Sequence, residues 1–83
     1  MKSDAERAFR LAADELGKAR MAFPPFHSAH EGWAIIREEL DELWAEIRSH
    51  QDTPGRAERM TKEAVQVAAM ALRFVIDAPG FKN

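Results

Sequence analysis

Residues 60–77, MTKEAVQVAAMALRFVID, decide the fold of this chain. On a helical wheel of about 100° per residue, their apolar side chains cover most of the circumference. The polar side chains fall on one narrow strip that also takes in the preceding turn: Arg59, Lys62, Gln66, Arg73 and Asp77. A helix that is apolar nearly all round is normally buried. Because two further helices cannot surround it, we expect a second copy of the chain to cover the remainder.

Two more helices are predicted upstream of this stretch, over residues 3–22 and 29–49. Each begins with the pattern of a capping box, in which a serine precedes a glutamate by three residues: Ser3 with Glu6, and Ser28 with Glu31. Two prolines end the first helix, because proline cannot continue the backbone hydrogen bonding. The pattern therefore predicts an all-α protomer of three helices.

The predicted turn between the second and third helices covers residues 50–55. Its sequence suggests Thr53 as the N-cap of the third helix and Pro54 as its first residue. The third helix is expected to end at about Asp77, where Ala78, Pro79 and Gly80 follow.

Composition narrows the class of protein. The chain has 83 residues, enough for one domain over 1–83, and 12 basic against 14 acidic residues give a net charge of −2. This balance argues against nucleic-acid binding, which requires a basic face. There is no cysteine, and no apolar run approaches the roughly 20 residues of a membrane span. We expect a cytoplasmic protein that, being short and apolar, forms a homodimer or homotetramer.

Three glutamates form the most informative pattern for function. Glu39 and Glu42 are three residues apart on the second helix, so both carboxylates point the same way. Glu63, on the third helix, lies at the edge of the apolar arc. Carboxylates from facing helices can build a metal site within a bundle, and an all-oxygen ligand set suits Mg²⁺ or Mn²⁺. The alternative interpretation is an acidic helix face that is merely solvated.

Residues 30–44, HEGWAIIREELDELW, and 58–70, ERMTKEAVQVAAM, resemble the MazG-like nucleotide pyrophosphohydrolases. The signature of that family is ExxE, a spacer and then ExxD, often with one more Glu before the first pair. Glu38, Glu39 and Glu42 match the first half, and Glu63 matches the start of the second. The resemblance implies an oligomeric all-α bundle that hydrolyses nucleoside triphosphates to monophosphate and pyrophosphate with Mg²⁺.

The last acid of the family signature is replaced here by Gln66, which offers a carbonyl oxygen but no charge. The resemblance implies Glu39, Glu42, Glu63 and Gln66 as metal ligands, and Glu38 as the residue that orients or deprotonates the attacking water. The candidates for substrate contacts are Arg37, Lys62 and Arg73 for the phosphates and Trp33 for the base. At helical spacing with neighbouring apolar residues, however, Trp33 is more typical of a core residue.

Two other classes of function stay open from the sequence. One is a catalytically weak or silent helical oligomer that binds nucleotides or a protein partner, an interpretation that Gln66 favours. The other is a partner-binding, antitoxin-like module, which has only the acidic second helix in its support. Base and sugar preference are not encoded in any recognisable motif of the chain.

Overall fold

The computed structural model describes residues 3–78, which form three helices and no strand. Helix α1 is Asp4–Ala22, α2 is Ala29–Ile47 and α3 is Arg56–Asp77. The expected all-α class and the number of helices are confirmed. Pro79 and Gly80, the expected stop signal for α3, lie outside the described residues.

Local hydrogen bonds explain where the first two helices begin. The Ser3 hydroxyl accepts a hydrogen bond from the backbone N–H of Glu6 at 3.1 Å, and the Ser28 hydroxyl accepts one from Glu31 at 3.1 Å. Each serine thus satisfies a backbone donor that has no partner within its helix. Both predicted capping serines are confirmed.

The start of α3 differs from the expectation. Its N-cap is Gly55 and not Thr53, and Pro54 lies in the turn before the helix. Gly55 has a φ of 76°, a left-handed conformation that glycine adopts without steric cost. The turn therefore depends on a glycine in a special conformation, and no side chain caps the first turn of α3.

The three helices form a flat arrangement in which α3 is central. Both α1 and α2 pack against α3, and over residues 3–78 they do not pack against each other. The shortest dimension is 19 Å, less than two helix diameters. A core closed on all sides cannot form in such a layer. The buried apolar residues are three alanines and one methionine: Ala12, Ala19, Ala69 and Met70. The half-buried residues Leu16, Ile35 and Ile36 pack against this core.

Three residues of the polar strip of α3, Gln66, Arg73 and Asp77, face the interior of the protomer, whereas Lys62 of the same strip is exposed. Gln66 donates a hydrogen bond to Glu15 of α1 at 2.8 Å. Arg73 is only 6% exposed and donates to the carbonyl oxygen of Pro24 at 2.8 Å. Asp77 accepts from the backbone N–H of Phe26 at 2.9 Å. These three residues thus fasten α1 and the α1–α2 connection to α3.

Much of the apolar surface of α2 and α3 faces outward as a consequence. Leu72 and Val75 of α3 are 43% and 48% exposed, and Trp33 and Trp44 of α2 are 58% and 57% exposed. As expected, the other two helices do not surround α3 within one protomer. The placement of Trp33 in a core is wrong for the protomer. Trp33 and Trp44 are about three helical turns apart and therefore lie on the same side of α2.

None of the three helices in the described part of the chain combines the length and the apolar character that crossing a membrane demands.

Candidate metal centre

The three glutamates predicted to bind a metal ion converge in the structure. Glu39 and Glu42 of α2 and Glu63 of α3 each offer a carboxylate oxygen, and these three oxygens lie within 4.8 Å of one another. Glu39 and Glu63 are half-buried, whereas Glu42 is exposed. The arrangement brings two helices together at one point, as the spacing of the acids predicts.

An ion pair fixes the register of α2 and α3 beside this cluster. Arg59 Nε lies 2.9 Å from Glu46 Oε1. Glu46 follows Glu42 by one helical turn, and Arg59 precedes Glu63 by one turn, so the pair joins the neighbouring turn of the same two antiparallel helices. This contact holds Glu63 opposite the two carboxylates of α2.

Crowding and burial shift the protonation of the cluster. Burial, followed by the charge of Glu42 and smaller effects of Glu63 and Glu38, raises the pKa of Glu39 to about 7. Burial also raises the pKa of Glu63, with Glu42 adding to the effect and Lys62 opposing it. Both upward shifts of the pKa include repulsion between neighbouring carboxylates, which a divalent cation relieves.

One oxygen of the cluster lacks a partner. Glu63 Oε2 is buried and accepts no hydrogen bond from any group in residues 3–78. A buried acceptor left unsatisfied costs free energy, about 1–3 kcal/mol or more for a charged group. Three carboxylates with one such oxygen fit a hard, oxygen-preferring cation such as Mg²⁺ or Mn²⁺.

A cavity of about 540 Å³ opens beside the cluster, between α1 and α2. Its acidic wall is Glu38, Glu39 and Glu42 of α2. Glu15 and Lys18 of α1 face that wall from the other side. The remaining lining is mixed. Its apolar members are Ala19, Ala22, Phe23, Pro24, Phe26, Ile35 and Met70, and its polar members are His27, Glu31, Gln66 and Arg73. The cavity thus combines the carboxylates next to the candidate metal ligands with apolar side chains.

Gln66, the residue at the position of the missing acid, lines the same cavity as Glu39 and Glu42. Its side-chain amide nitrogen is turned to Glu15 of α1. The amide is therefore held in place by a carboxylate from the opposite wall.

Of the four residues predicted to contact substrate, one lines the cavity and three do not. Arg73 lines the cavity, but its guanidinium is engaged by the Pro24 carbonyl and lies 4.0 Å from the centre of the Phe26 ring. Arg37 is paired with Asp41 at 3.1 Å, away from the cavity lining. Lys62 is exposed, and neither it nor Trp33 lines the cavity.

The sequence did not predict that two residues of α1, Glu15 and Lys18, line the cavity. Glu15 is half-buried, and its carboxylate lies 3.5 Å from the Lys18 ammonium. A signal for Glu15 existed in the sequence: it stands beside the apolar stripe of α1, three residues after Ala12 and four before Ala19. What no pattern indicated is that this edge of α1 faces the acids of α2 across a cavity.

Comparisons of the chain with protein-family models, with curated proteins and with solved structures found no match.

Proposed function

We propose that this protein is a Mg²⁺-dependent hydrolase that converts (deoxy)nucleoside triphosphates to monophosphates and pyrophosphate. The observation that carries the proposal is the convergence of Glu39, Glu42 and Glu63 beside a cavity, with an unpartnered buried oxygen on Glu63. The resemblance of residues 30–44 and 58–70 to MazG-like pyrophosphohydrolases supports the same assignment.

Glu39, Glu42 and Glu63 are the residues that would hold the cation. Bound there, it would supply a positive charge to the phosphates and lower the pKa of a nearby water. In the proposed hydrolysis the water oxygen forms a bond to the α-phosphorus, while the bond from that phosphorus to the α–β bridging oxygen breaks. Pyrophosphate leaves with that oxygen. Glu38, on the cavity wall beside the cluster, accepts the proton of the water.

The cavity has the size and polarity for such a substrate. Its volume of about 540 Å³ lies within the range of about 300–1,000 Å³ that is usual for small-molecule sites. The triphosphate would lie at the carboxylates, and the apolar side chains of Phe26 and Met70 would take the base. Lys18 is our candidate for a phosphate contact, because its side chain is 76% exposed and its pairing with Glu15 is long at 3.5 Å, whereas Arg73 already holds the loop of Pro24.

We further propose that the active form is a homodimer or homotetramer. Several large apolar side chains of α2 and α3 are more than 40% exposed in the protomer. Exposed apolar surface of this kind is typical of a protein–protein interface. Trp33, Trp44, Leu72 and Val75 are the exposed side chains that a second copy would cover.

A second candidate function is a helical oligomer that binds nucleotides or a protein partner without hydrolysis. The observation that favours it is the neutral Gln66, whose amide nitrogen is occupied by Glu15. Loss of one acid from the ligand set weakens metal binding and charge stabilisation of the transition state.

A panel of canonical and modified (d)NTPs with Mg²⁺ or Mn²⁺, measured as pyrophosphate release, tests the proposal. We expect release by the wild-type protein and none by Glu39→Gln, with Glu58→Gln, an exposed acid of α3, as the control of equal charge change. Nucleotide binding without release would support the second candidate. If neither binding nor release occurs with any nucleotide, both assignments are wrong.

A further inference from the structure

Gln66, which stands where the MazG-like signature has an acid, is hydrogen-bonded to Glu15. Glu15 is an acid that the signature does not contain. Gln66 Nε2 donates to Glu15 Oε2 at 2.8 Å across the interface of α3 and α1. Both residues line the cavity whose other wall holds Glu38, Glu39 and Glu42. Position 66 therefore lacks a charge of its own, but the carboxylate of Glu15 is held against it.

The hydrogen bond to Glu15 requires an uncharged side chain with a donor at position 66. A carboxylate in place of the Gln66 amide would face the carboxylate of Glu15, and the two like charges would repel each other. The amide instead offers a donor and fixes the direction of Glu15, which is 27% exposed on its side chain. The half-buried position limits the alternative orientations that Glu15 can take.

This inference rests on the proposed function, in which Glu39, Glu42 and Glu63 hold a divalent cation. The site then contains one more acid than these three glutamates. We propose that Glu15 is the fourth carboxylate toward the divalent cation and that Gln66 is the positioning residue that holds it. Mg²⁺ and Mn²⁺ keep several waters when they bind proteins, and these waters donate to acids outside the direct ligand set. Glu63 Oε2, which is buried and has no hydrogen-bond partner among residues 3–78, is the observation that favours a ligand at this centre.

This assignment gives α1 a part in the site. Helix α1 packs only on α3, and the cavity separates it from α2 over the described residues. An acid from α1 that faces a cation bound by α2 and α3 connects all three helices. Lys18 lies 3.5 Å from the other carboxylate oxygen of Glu15, Oε1, so the same acid also places a cation at the edge of the cavity.

Mn²⁺ titration of the full chain by isothermal calorimetry tests the role of Glu15. Glu15→Gln keeps the shape and an oxygen that accepts from Gln66, but it removes the charge. We expect Mn²⁺ binding to weaken about 10-fold or more, as is typical of acids outside the direct ligand set. Asp14→Asn is the matched control, because Asp14 is its exposed neighbour on α1 and the charge change is the same. The control should change binding less than about 2-fold, since salt screens an exposed charge.

A second variant tests the positioning role of Gln66. The double exchange Glu15→Gln with Gln66→Glu moves the charge from α1 to α3 and keeps the amide–carboxylate pair, so Mn²⁺ affinity should return toward that of the wild type. Melting in EDTA establishes that each variant is folded.

The outcomes separate the two levels of the proposal. If the wild type binds Mn²⁺ and Glu15→Gln binds it as tightly as Asp14→Asn does, the role of Glu15 is wrong and the metal centre stands. If the double exchange binds no better than Glu15→Gln alone, Gln66 is not the positioning residue. If the wild type binds no Mn²⁺, the centre itself is refuted, and the role of Glu15 with it.

Discussion

Gly32 of α2 lies directly against the ring of Phe74 on α3. A Cβ atom at Gly32 would stand 2.5 Å from Cδ2 of Phe74 and 3.1 Å from Cδ2 of Phe26. Two rings thus occupy the space that any side chain at position 32 needs. This close approach lets α2 lie near enough to α3 for Glu39 and Glu42 to meet Glu63 farther along the same pair of helices.

Gly32→Ala should therefore destabilise the protein, although alanine is the better helix former. Overpacking costs about 1–3 kcal/mol, and alanine returns about 1 kcal/mol of helix propensity. We expect a net loss of roughly 1 kcal/mol in the free energy of unfolding, measured by urea denaturation. Gly17→Ala is the control, because a Cβ at Gly17 meets nothing within 4 Å. That variant should be more stable than the wild type, and equal effects at both positions would contradict the packing described here.

Divalent cations should raise the melting temperature. The carboxylates of Glu39, Glu42 and Glu63 repel one another, and a cation bound to them stabilises the folded state by mass action. Differential scanning fluorimetry with millimolar Mg²⁺ or Mn²⁺ against EDTA should show the increase, and Glu39→Gln should remove it. Glu58→Gln, at an exposed position, should retain it. An unchanged melting curve in the wild type would favour the solvated acidic face.

Stability in EDTA should fall as the pH rises from about 5 to 8. Burial and the neighbouring Glu42 raise the pKa of Glu39 in the folded state to about 7, above its ordinary value of 4.5. Between these two values the unfolded chain has lost a proton that the folded chain keeps, so the free energy of unfolding decreases with pH. The loss attributable to Glu39 is of the order of 1 kcal/mol once solvent screening is allowed for. Glu39→Gln should flatten this part of the profile, and a wild-type profile parallel to that of the variant would refute the shift.

Gln66→Asp should lower stability in EDTA and increase the benefit of a cation. The substitution removes the hydrogen bond to Glu15 and places a second carboxylate near it. Melting should therefore occur at lower temperature without metal, and Mg²⁺ should raise it by more than it raises that of the wild type. Gln66→Asn, which is equally short but neutral, controls for the shorter side chain. If Gln66→Asp changes stability equally with EDTA and with Mg²⁺, Gln66 does not border a cation site.

Self-association should be visible in solution and should depend on the exposed face of α2 and α3. Sedimentation velocity at micromolar concentration should show a dimer or tetramer and not a species near 9.4 kDa. Trp44→Glu, at a side chain 57% exposed in the protomer, should dissociate it, because a charge would be buried at the interface. Met21→Glu, at an apolar residue 92% exposed at the end of α1, should leave the oligomer intact. A folded wild-type monomer would refute the assembly.

Local sequence predicted the helices well because their ends depend on neighbouring residues. Ser3 and Ser28 cap α1 and α2 through donors three residues away, so the pattern and the structure agree. The start of α3 was missed, because the left-handed φ of Gly55 ends a turn whose Thr53 and Pro54 resemble a helix start. The two alternatives differ by a backbone conformation that the residue types alone do not distinguish.

The candidate site also has a part that sequence spacing predicts and a part that depends on helix packing. The grouping of Glu39 and Glu42 follows from a spacing of three on one helix, and the structure adds Glu63 to them. Glu15 was not foreseen, because its place opposite these acids depends on how α1 packs on α3. The spacing of residues along α1 carries no information about that packing.

By itself, then, the sequence determined three helices, the capping serines of two of them and an acidic pair on α2. Tertiary structure decided which side of α3 faces inward. Gln66, Arg73 and Asp77 find partners in α1 and the α1–α2 connection, and these hydrogen bonds outweigh the preference for turning polar groups to water. Part of the apolar surface of α3, with Leu72 and Val75, is left outward, because a helix wheel gives the angles between side chains but not the direction of the neighbouring helix.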